Sequence, residues 1–266
     1  MTAIPRAAEP ILLRDDQNGI ATLTLNRPAQ RNVLSVALMS ALQAELDAVA
    51  TNPAIKVVVI AGAGPGFCGG HDLKEMRANP GRQANEALFA QCSRLMLSIV
   101  RLPKPVIARV HATAAAAGCQ LVASCDLAVA AESARFAVNG ANIGLFCSTP
   151  MVALTRVIGR KPAMEMLLTG DLIDARTAFA YGLVNKVVPD NELDTAVATL
   201  AAKIVSKSPY ALKIGKEAFY RQAELGLEEA YAYTSDVMTI NLQARDAGAG
   251  IDAFLAKKPT PKWEGR

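Results

Sequence analysis

The run Val57-Val58-Val59-Ile60, followed by the glycine-rich stretch Gly62-Ala63-Gly64-Pro65-Gly66-Phe67-Cys68-Gly69-Gly70, constrains this chain more than any other feature. Four consecutive β-branched residues read as a buried strand, and glycines at this density let the backbone turn tightly after it. The same order returns downstream. Val106 to Val110 predicts a strand, an alanine-rich turn follows, and a short helix near Gly118 to Ala123 leads to a strand at Leu127 to Ala130. A repeated strand, loop and helix predicts an α/β core.

The flanks fit that core. Asn18-Gly19 between short strands at Ile11 to Arg14 and Ile20 to Leu25 is a hairpin signal. Ser35 is placed to cap a helix whose apolar face is Leu38, Met39, Leu42, Leu46 and Val49. A second helix is expected from about Asn85 to Leu102, ended by Pro103 and Pro105. Beyond Pro150 the pattern turns largely helical, and after about Ser206 it reads as helices only. The expected organisation is a core over residues 1–205 and a C-terminal helical oligomerisation region over 206–266. A chain of 266 residues can bury such a core.

Composition excludes several classes. With 52% hydrophobic and 20% charged residues the chain is neither disordered nor fibrous. Its longest weakly polar stretch, Val106 to Ala130, is broken by Arg109, His111, Gln120 and Asp126, so no membrane span is expected. A net charge of +4 without a dense basic run argues against nucleic acid. Five scattered cysteines imply no disulfide framework, and two histidines, His71 and His111, give no metal-ligand cluster. The first ten residues lack the apolar segment of a signal peptide, and their acidic Glu9 does not favour a transit peptide, which makes a cytoplasmic location the default.

Gly64, Gly66 and Gly69 have dinucleotide-fingerprint spacing, but the loop runs into His71-Asp72-Leu73-Lys74-Glu75 rather than directly into a helix, and no Gly-Lys-Ser/Thr follows. Nucleotide chemistry is therefore not expected. The stretches VVVIAG, GFCGGHDLKEM, KPVIARVHATAAAAGCQLVASCDLAVA and TGDLIDARTAFAYGLVNKVVP, in this order, resemble the crotonase (enoyl-CoA hydratase/isomerase) superfamily, as do LNRPAQRNVLS near the start and AFLAKKPTPKW near the end. The similarity spans nearly the whole chain. It implies a core of repeated ββα units wound as a superhelix, and an acyl-CoA thioester as substrate, with coenzyme A part of that substrate rather than a resident cofactor.

The resemblance also implies a pair of backbone N–H groups, His71 and Ala117, that polarise the thioester carbonyl. Preorganised donors of this kind are what a developing oxyanion needs. The family usually has glycine where this chain has Ala116 and Ala117; alanine keeps the N–H but adds a Cβ that narrows the pocket or resists a positive φ. The plain alternative is that Ala114 to Ala117 only pack a tight turn. Hydratases of the family resemble one another in two glutamates, at the positions of Gln120 and Gly140. An amide exchanges no proton near neutrality and glycine has no side chain, so efficient hydration is not expected.

Within the family, His71-Asp72-Leu73-Lys74 together with Asn142 to Pro150 is similar to the subgroup called enoyl-CoA hydratase domain-containing protein three. Arg27, Arg31 and Lys74 are implied contacts for the coenzyme A phosphates, and Phe254, Lys257 and Lys258 are implied to reach a neighbour's site in a homotrimer or a dimer of trimers. A solvated basic tail is the other reading of those lysines. Asp72 and Asp126 read as caps or ion-pair partners, the His71 side chain as a packing or hydrogen-bonding group, and Cys147 and Ser148 as lacking an evident base. The expectation is an acyl-CoA protein of hydratase/isomerase type in fatty acid metabolism. The alternative is an acyl-CoA-binding or regulatory protein with little catalysis.

Overall fold

The computed structural model describes residues 9–266. The first eight residues, on which most of the leader reading rests, lie outside it. The chain opens with an antiparallel hairpin, β1 (Leu12–Gln17) and β2 (Ile20–Leu25), turned by Asn18 and Gly19, which both take positive φ. Helix α1 (Val36–Thr51) starts where expected, with the Ser35 side chain accepting the Leu38 N–H at 3.2 Å. Its buried residues are Leu38, Met39, Leu42, Leu46 and Val49, the face read from the spacing.

Three ββα units follow. Each sends one strand into a large sheet, a three-residue strand into a small one, and then a helix. The first is β3 (Val57–Gly62), β4 (Gly66–Cys68), then α2 (Leu73–Ala78) and α3 (Arg82–Arg101). The second is β5 (Val106–Val110), β6 (Thr113–Ala115) and α4 (Ala117–Ser124). The third is β7 (Leu127–Ala131), β8 (Arg135–Ala137), a 3-10 turn over Asn139–Ile143, and α5 (Ser148–Val157). After α6 (Arg160–Thr169), the two-residue β9 (Ile173–Asp174) joins the small sheet. Helix α7 (Ala175–Tyr181) and β10 (Lys186–Val188) then lead to α8 (Leu193–Val205).

The large sheet has the order β1-β2-β3-β5-β7-β10 and the small one β4-β6-β8-β9; the pairs β2–β3, β3–β5, β5–β7, β7–β10, β4–β6 and β6–β8 are all parallel. Every residue of β3 is buried, as expected for a central strand covered on both faces. Val58, Ile60 and Ala108 face the main core between the sheets and helices, and Val57, Val59 and Ile107 face Leu193, Val197 and Ala201 of α8.

The chain ends in α9 (Pro209–Gln222), α10 (Leu227–Leu242) and α11 (Arg245–Leu255). Buried Lys216 of α9 ties them to the core, donating to the carbonyls of Ile99 (2.9 Å) and Lys104 (3.0 Å) and pairing with Asp126 at 2.7 Å. Burial pushes the Lys216 pKa below its usual value, against the pull of Asp126. Tyr220 donates to the other oxygen of Asp126 at 2.9 Å. Among the described residues no helix is long and apolar enough to cross a membrane.

Candidate functional site

Two loops meet at the C-terminal ends of β3 and β5, where α/β sheets characteristically hold ligands. The first leads from β4 through Gly69 and Gly70 into His71. Leu34 donates its N–H to the Gly70 carbonyl at 2.7 Å and accepts the Asp72 N–H at 3.4 Å. In an extended chain successive N–H groups point to opposite sides, so the His71 N–H faces away from Leu34. The second loop leads from β6 through Ala116 into α4. Ala117 is the first residue of that helix, so its N–H has no acceptor within the helix. Among the described residues neither N–H finds a hydrogen-bond acceptor.

The loops touch at two points. A Cβ on Gly118 would lie 2.2 Å from the Cys68 carbonyl oxygen, so only glycine lets α4 press onto β4. On the other side, a Cβ on Gly70 would meet the Ala116 methyl at 3.0 Å, the Ala115 carbonyl at 3.1 Å and the Ala117 nitrogen at 3.4 Å. Gly70 has φ 93°, a conformation for which glycine is suited. Two unpaired donors held in adjacent loops at a helix N-terminus can take a carbonyl or anionic oxygen.

Of the two alanines for which a positive φ is a hazard, Ala116 takes it, at φ 49° and ψ −116°, and Ala117 does not. This is the region of the first central residue of a type II′ turn, normally glycine, and for another residue such strain is about 1–3 kcal/mol. Hydrogen bonds hold it in place: the Ala116 N–H donates to the Ala137 carbonyl at 2.8 Å and its carbonyl accepts the Gln120 N–H at 3.0 Å.

The His71 imidazole meets Phe89 of α3 edge to face, with centroids 5.5 Å apart. Its Nε2 is buried without a partner, and burial pushes its pKa below the usual value, favouring the neutral ring. Gln120 is 4% exposed and its Oε1 lies 3.9 Å from the Cys92 thiol. Phe89 and Cys92 are three residues apart, hence on one face of α3, so His71 and Gln120 line the same wall. Phe89 also borders an open cleft of about 640 Å³ with Pro80, Arg82, Asn85 and Ser93.

Gly140 is buried, and its missing side chain is a packing requirement. A Cβ there would lie 2.3 Å from the Leu145 carbonyl oxygen and 2.9 Å from Cys147 Sγ, because Leu145 donates to the Gly140 carbonyl (2.9 Å) and Gly140 donates to Cys147 Sγ (3.3 Å). Burial pushes the Cys147 thiol up, so it is protonated rather than nucleophilic. Asp72 caps α2, accepting the Lys74 N–H at 3.0 Å, and approaches Arg27 at 3.5 Å.

Arg27, Arg31 and Lys74 all attach to the His71 loop: Arg27 through Asp72, Arg31 through its carbonyl, which accepts the Gly69 N–H at 2.9 Å, and Lys74 through the Asp72 cap. Phe254, Lys257 and Lys258 are not brought there. Phe254 is 82% exposed near the end of α11, which packs on α9 and α10, and Lys257, the residue after the C-cap Ala256, takes a positive φ of 51°. Among the described residues no group of three His, Cys, Asp or Glu could hold a metal.

Sequence reasoning flagged Ala116 and Ala117 together without telling which one turns left-handed, and it missed Phe89, which reads as one more residue of an apolar helix face.

A family model described as enoyl-CoA hydratase/isomerase matches residues 15–266. A solved enoyl-CoA hydratase from Mycobacterium smegmatis superposes with a TM-score of 0.94 at 52% identity, covering 96% of this chain and 99% of that one. The solved human enoyl coenzyme A hydratase domain-containing protein 3 gives a TM-score of 0.93 at 44% identity, covering 95% and 100%. By sequence, the Homo sapiens protein of that name is 47% identical over 92% of this chain and 81% of its own length. It and its counterparts in Xenopus laevis, Rattus norvegicus, Mus musculus and Danio rerio are each named mitochondrial. Those names overturn the cytoplasmic expectation, which rested on the lack of an apolar leader and on the acidic Glu9 in the first ten residues; a transit peptide needs no apolar segment, and one acidic residue does not exclude it.

Proposed function

The chain belongs to the enoyl-CoA hydratase/isomerase family, and from that premise we propose that it binds an acyl thioester of coenzyme A and polarises the carbonyl oxygen with the backbone N–H groups of His71 and Ala117. The observation that carries this reading is the contact between the two loops, which leaves both N–H groups without a protein acceptor beside the N-terminus of α4. The positive end of that helix adds to the field at the oxygen. Arg27, Arg31 and Lys74 surround the His71 loop and supply charge for the phosphates of coenzyme A.

Efficient hydration is not part of the proposal. Gln120 presents an amide where the family's hydratases carry a carboxylate, and at Gly140 even a Cβ would lie 2.3 Å from the Leu145 carbonyl oxygen. Acid–base groups of this kind typically contribute about 10²–10⁴ each in rate. Enolate-type chemistry without added water, or thioester binding with little turnover, is what remains; the closed space at Gly140 favours the second over hydration. The exposed faces of α10 and α11, with Leu227, Tyr231, Met238 and Phe254, fit a homotrimer in which Phe254, Lys257 and Lys258 approach a neighbouring site.

Two measurements test this. Calorimetry with a saturated acyl-CoA gives binding, and its absence at millimolar ligand removes the thioester reading. Steady-state hydration of crotonyl-CoA runs at least ~100-fold below a typical enzyme's ~10 s⁻¹. Turnover near that typical value removes the reading of Gln120 and Gly140.

A further inference from the structure

We infer that Asn32 is a positioning residue that couples the coenzyme A end of the ligand to its thioester end, because its amide clamps the turn carrying Arg27 and Arg31 to the segment that leads to the His71 N–H. The inference rests on the function proposed above and deepens it, since it concerns how binding at one end of that site reaches the other.

Asn32 is fully buried, and both polar atoms of its amide meet backbone at this junction. Its Oδ1 accepts the Arg27 N–H at 2.8 Å and closes the turn on itself. Its Nδ2 donates to the carbonyls of Ala63 and Gly66, each at 2.8 Å, and to that of Phe67 at 3.2 Å. A Cβ on Gly62 would come within 3.0 Å of Nδ2, so glycine there leaves the amide its room. The Gly64 carbonyl, inside the same loop, accepts from His111 Nε2 at 2.8 Å. Two side chains thus take up four carbonyls of the glycine-rich loop. Arg31 and Asn32 hold φ 50° and 54°. Asparagine tolerates this region and arginine much less, so the turn keeps its shape because its surroundings over-determine it.

Past the clamp the two segments run side by side to the donor. The Arg31 carbonyl accepts the Gly69 N–H at 2.9 Å, and the Leu34 N–H donates to the Gly70 carbonyl at 2.7 Å. The backbone that bears the two arginines and the backbone that bears His71 are therefore one hydrogen-bonded unit, with Asn32 at its root. Phosphates bound by Arg27 and Arg31 then fix where the thioester carbonyl stands against the His71 N–H, and an interaction at the remote end is expressed in the activated state. Without the amide the charges remain, but their registration with the donor is lost.

The test compares propionyl-CoA with propionyl-pantetheine, which carries the same thioester without the nucleotide and its phosphates, in the full-length protein. Two quantities are read on each bound ligand: the infrared stretch of its ¹³C-labelled carbonyl and the saturated rate of exchange of its Cα hydrogens in D₂O. Wild-type protein lowers the stretch further for propionyl-CoA and exchanges it ~10- to 100-fold faster at saturation than propionyl-pantetheine. Asn32→Gly accepts the left-handed φ and removes the amide. It slows propionyl-CoA, leaves propionyl-pantetheine near its wild-type rate, and so brings the two saturated rates within about threefold of each other. Equal stretches and equal saturated rates for the two ligands in wild type overturn the coupling, and that arm needs no folded variant. Asn32→Gly protein that slows both ligands by the same factor also overturns it, because a structural role alone has that effect. Wild-type protein that neither shifts the carbonyl nor exchanges either ligand overturns the thioester reading, and the coupling with it.

Discussion

Between β3 and His71 the left-handed positions are glycines, Gly64 at φ 73° and Gly70 at 93°, whereas at the entrance to α4 the corresponding position is Ala116 at 49°. Only eight residues past Gly62, the first loop has spent glycine on every such turn. The second keeps its one glycine, Gly118, for the point where another backbone comes within touching distance. The difference separates two reasons for having no side chain. An unfavourable φ is a finite strain that surrounding hydrogen bonds can hold, while a Cβ 2.2 Å from a carbonyl oxygen has no accommodation short of moving the chain.

The largest expected effect is therefore at Gly118. Gly118→Ala forces α4 off Cys68 and destabilises by at least ~3 kcal/mol, seen as a loss of soluble folded protein or a much lower midpoint in urea. An unchanged midpoint breaks the distinction between space and strain. Gly140→Ala sharpens it. The clash there, 2.3 Å to the Leu145 oxygen, is with a segment whose residues Asn142 to Phe146 are exposed and able to yield, so the cost is about 1–3 kcal/mol. A cost equal to that of Gly118→Ala means that the segment is as rigid as the strand.

The smallest effect concerns the side chain that the first loop presents and the second does not. His71 has a pKa lowered by burial, so the folded state resists a proton that the unfolded state accepts below about 6.5. Stability attributable to this group is therefore unaffected above pH 7 and falls as the pH drops through 6.5 toward the folded value. His71→Asn keeps the backbone N–H and removes the titration. The difference in melting temperature between wild type and His71→Asn shrinks or reverses between pH 7.5 and 5. A constant difference shows that the ring is not held neutral.

Much of the fold was readable because its signals are local. Ser35 caps α1 and Asp174 caps α7, by accepting the Thr177 N–H at 2.7 Å, because a short oxygen-bearing side chain before an apolar helix has one favourable use. The small sheet was not readable. Its strands β4, β6 and β8 are three residues each, too short for any period, and β6 lies inside an alanine run that looks like a turn. Gln120 and Gly140 were singled out by the resemblance alone, as the positions it assigns to the hydratases' glutamates. Only the packing showed that Gly140 is filled space rather than empty space.

Chain chemistry alone settled most strands of the large sheet, the longer helices and where glycine permits a sharp turn, since these depend on side-chain period and on φ preferences within a few residues. It also pointed to His71 and Ala117, through a family resemblance carried by stretches of consecutive residues. Tertiary structure decided which of four alanines bears the strain, what Gly140 must avoid, and where the His71 ring lodges. Each of those depends on a distance between segments far apart along the chain, set by how β4 and α4 press together, and no local preference contains it.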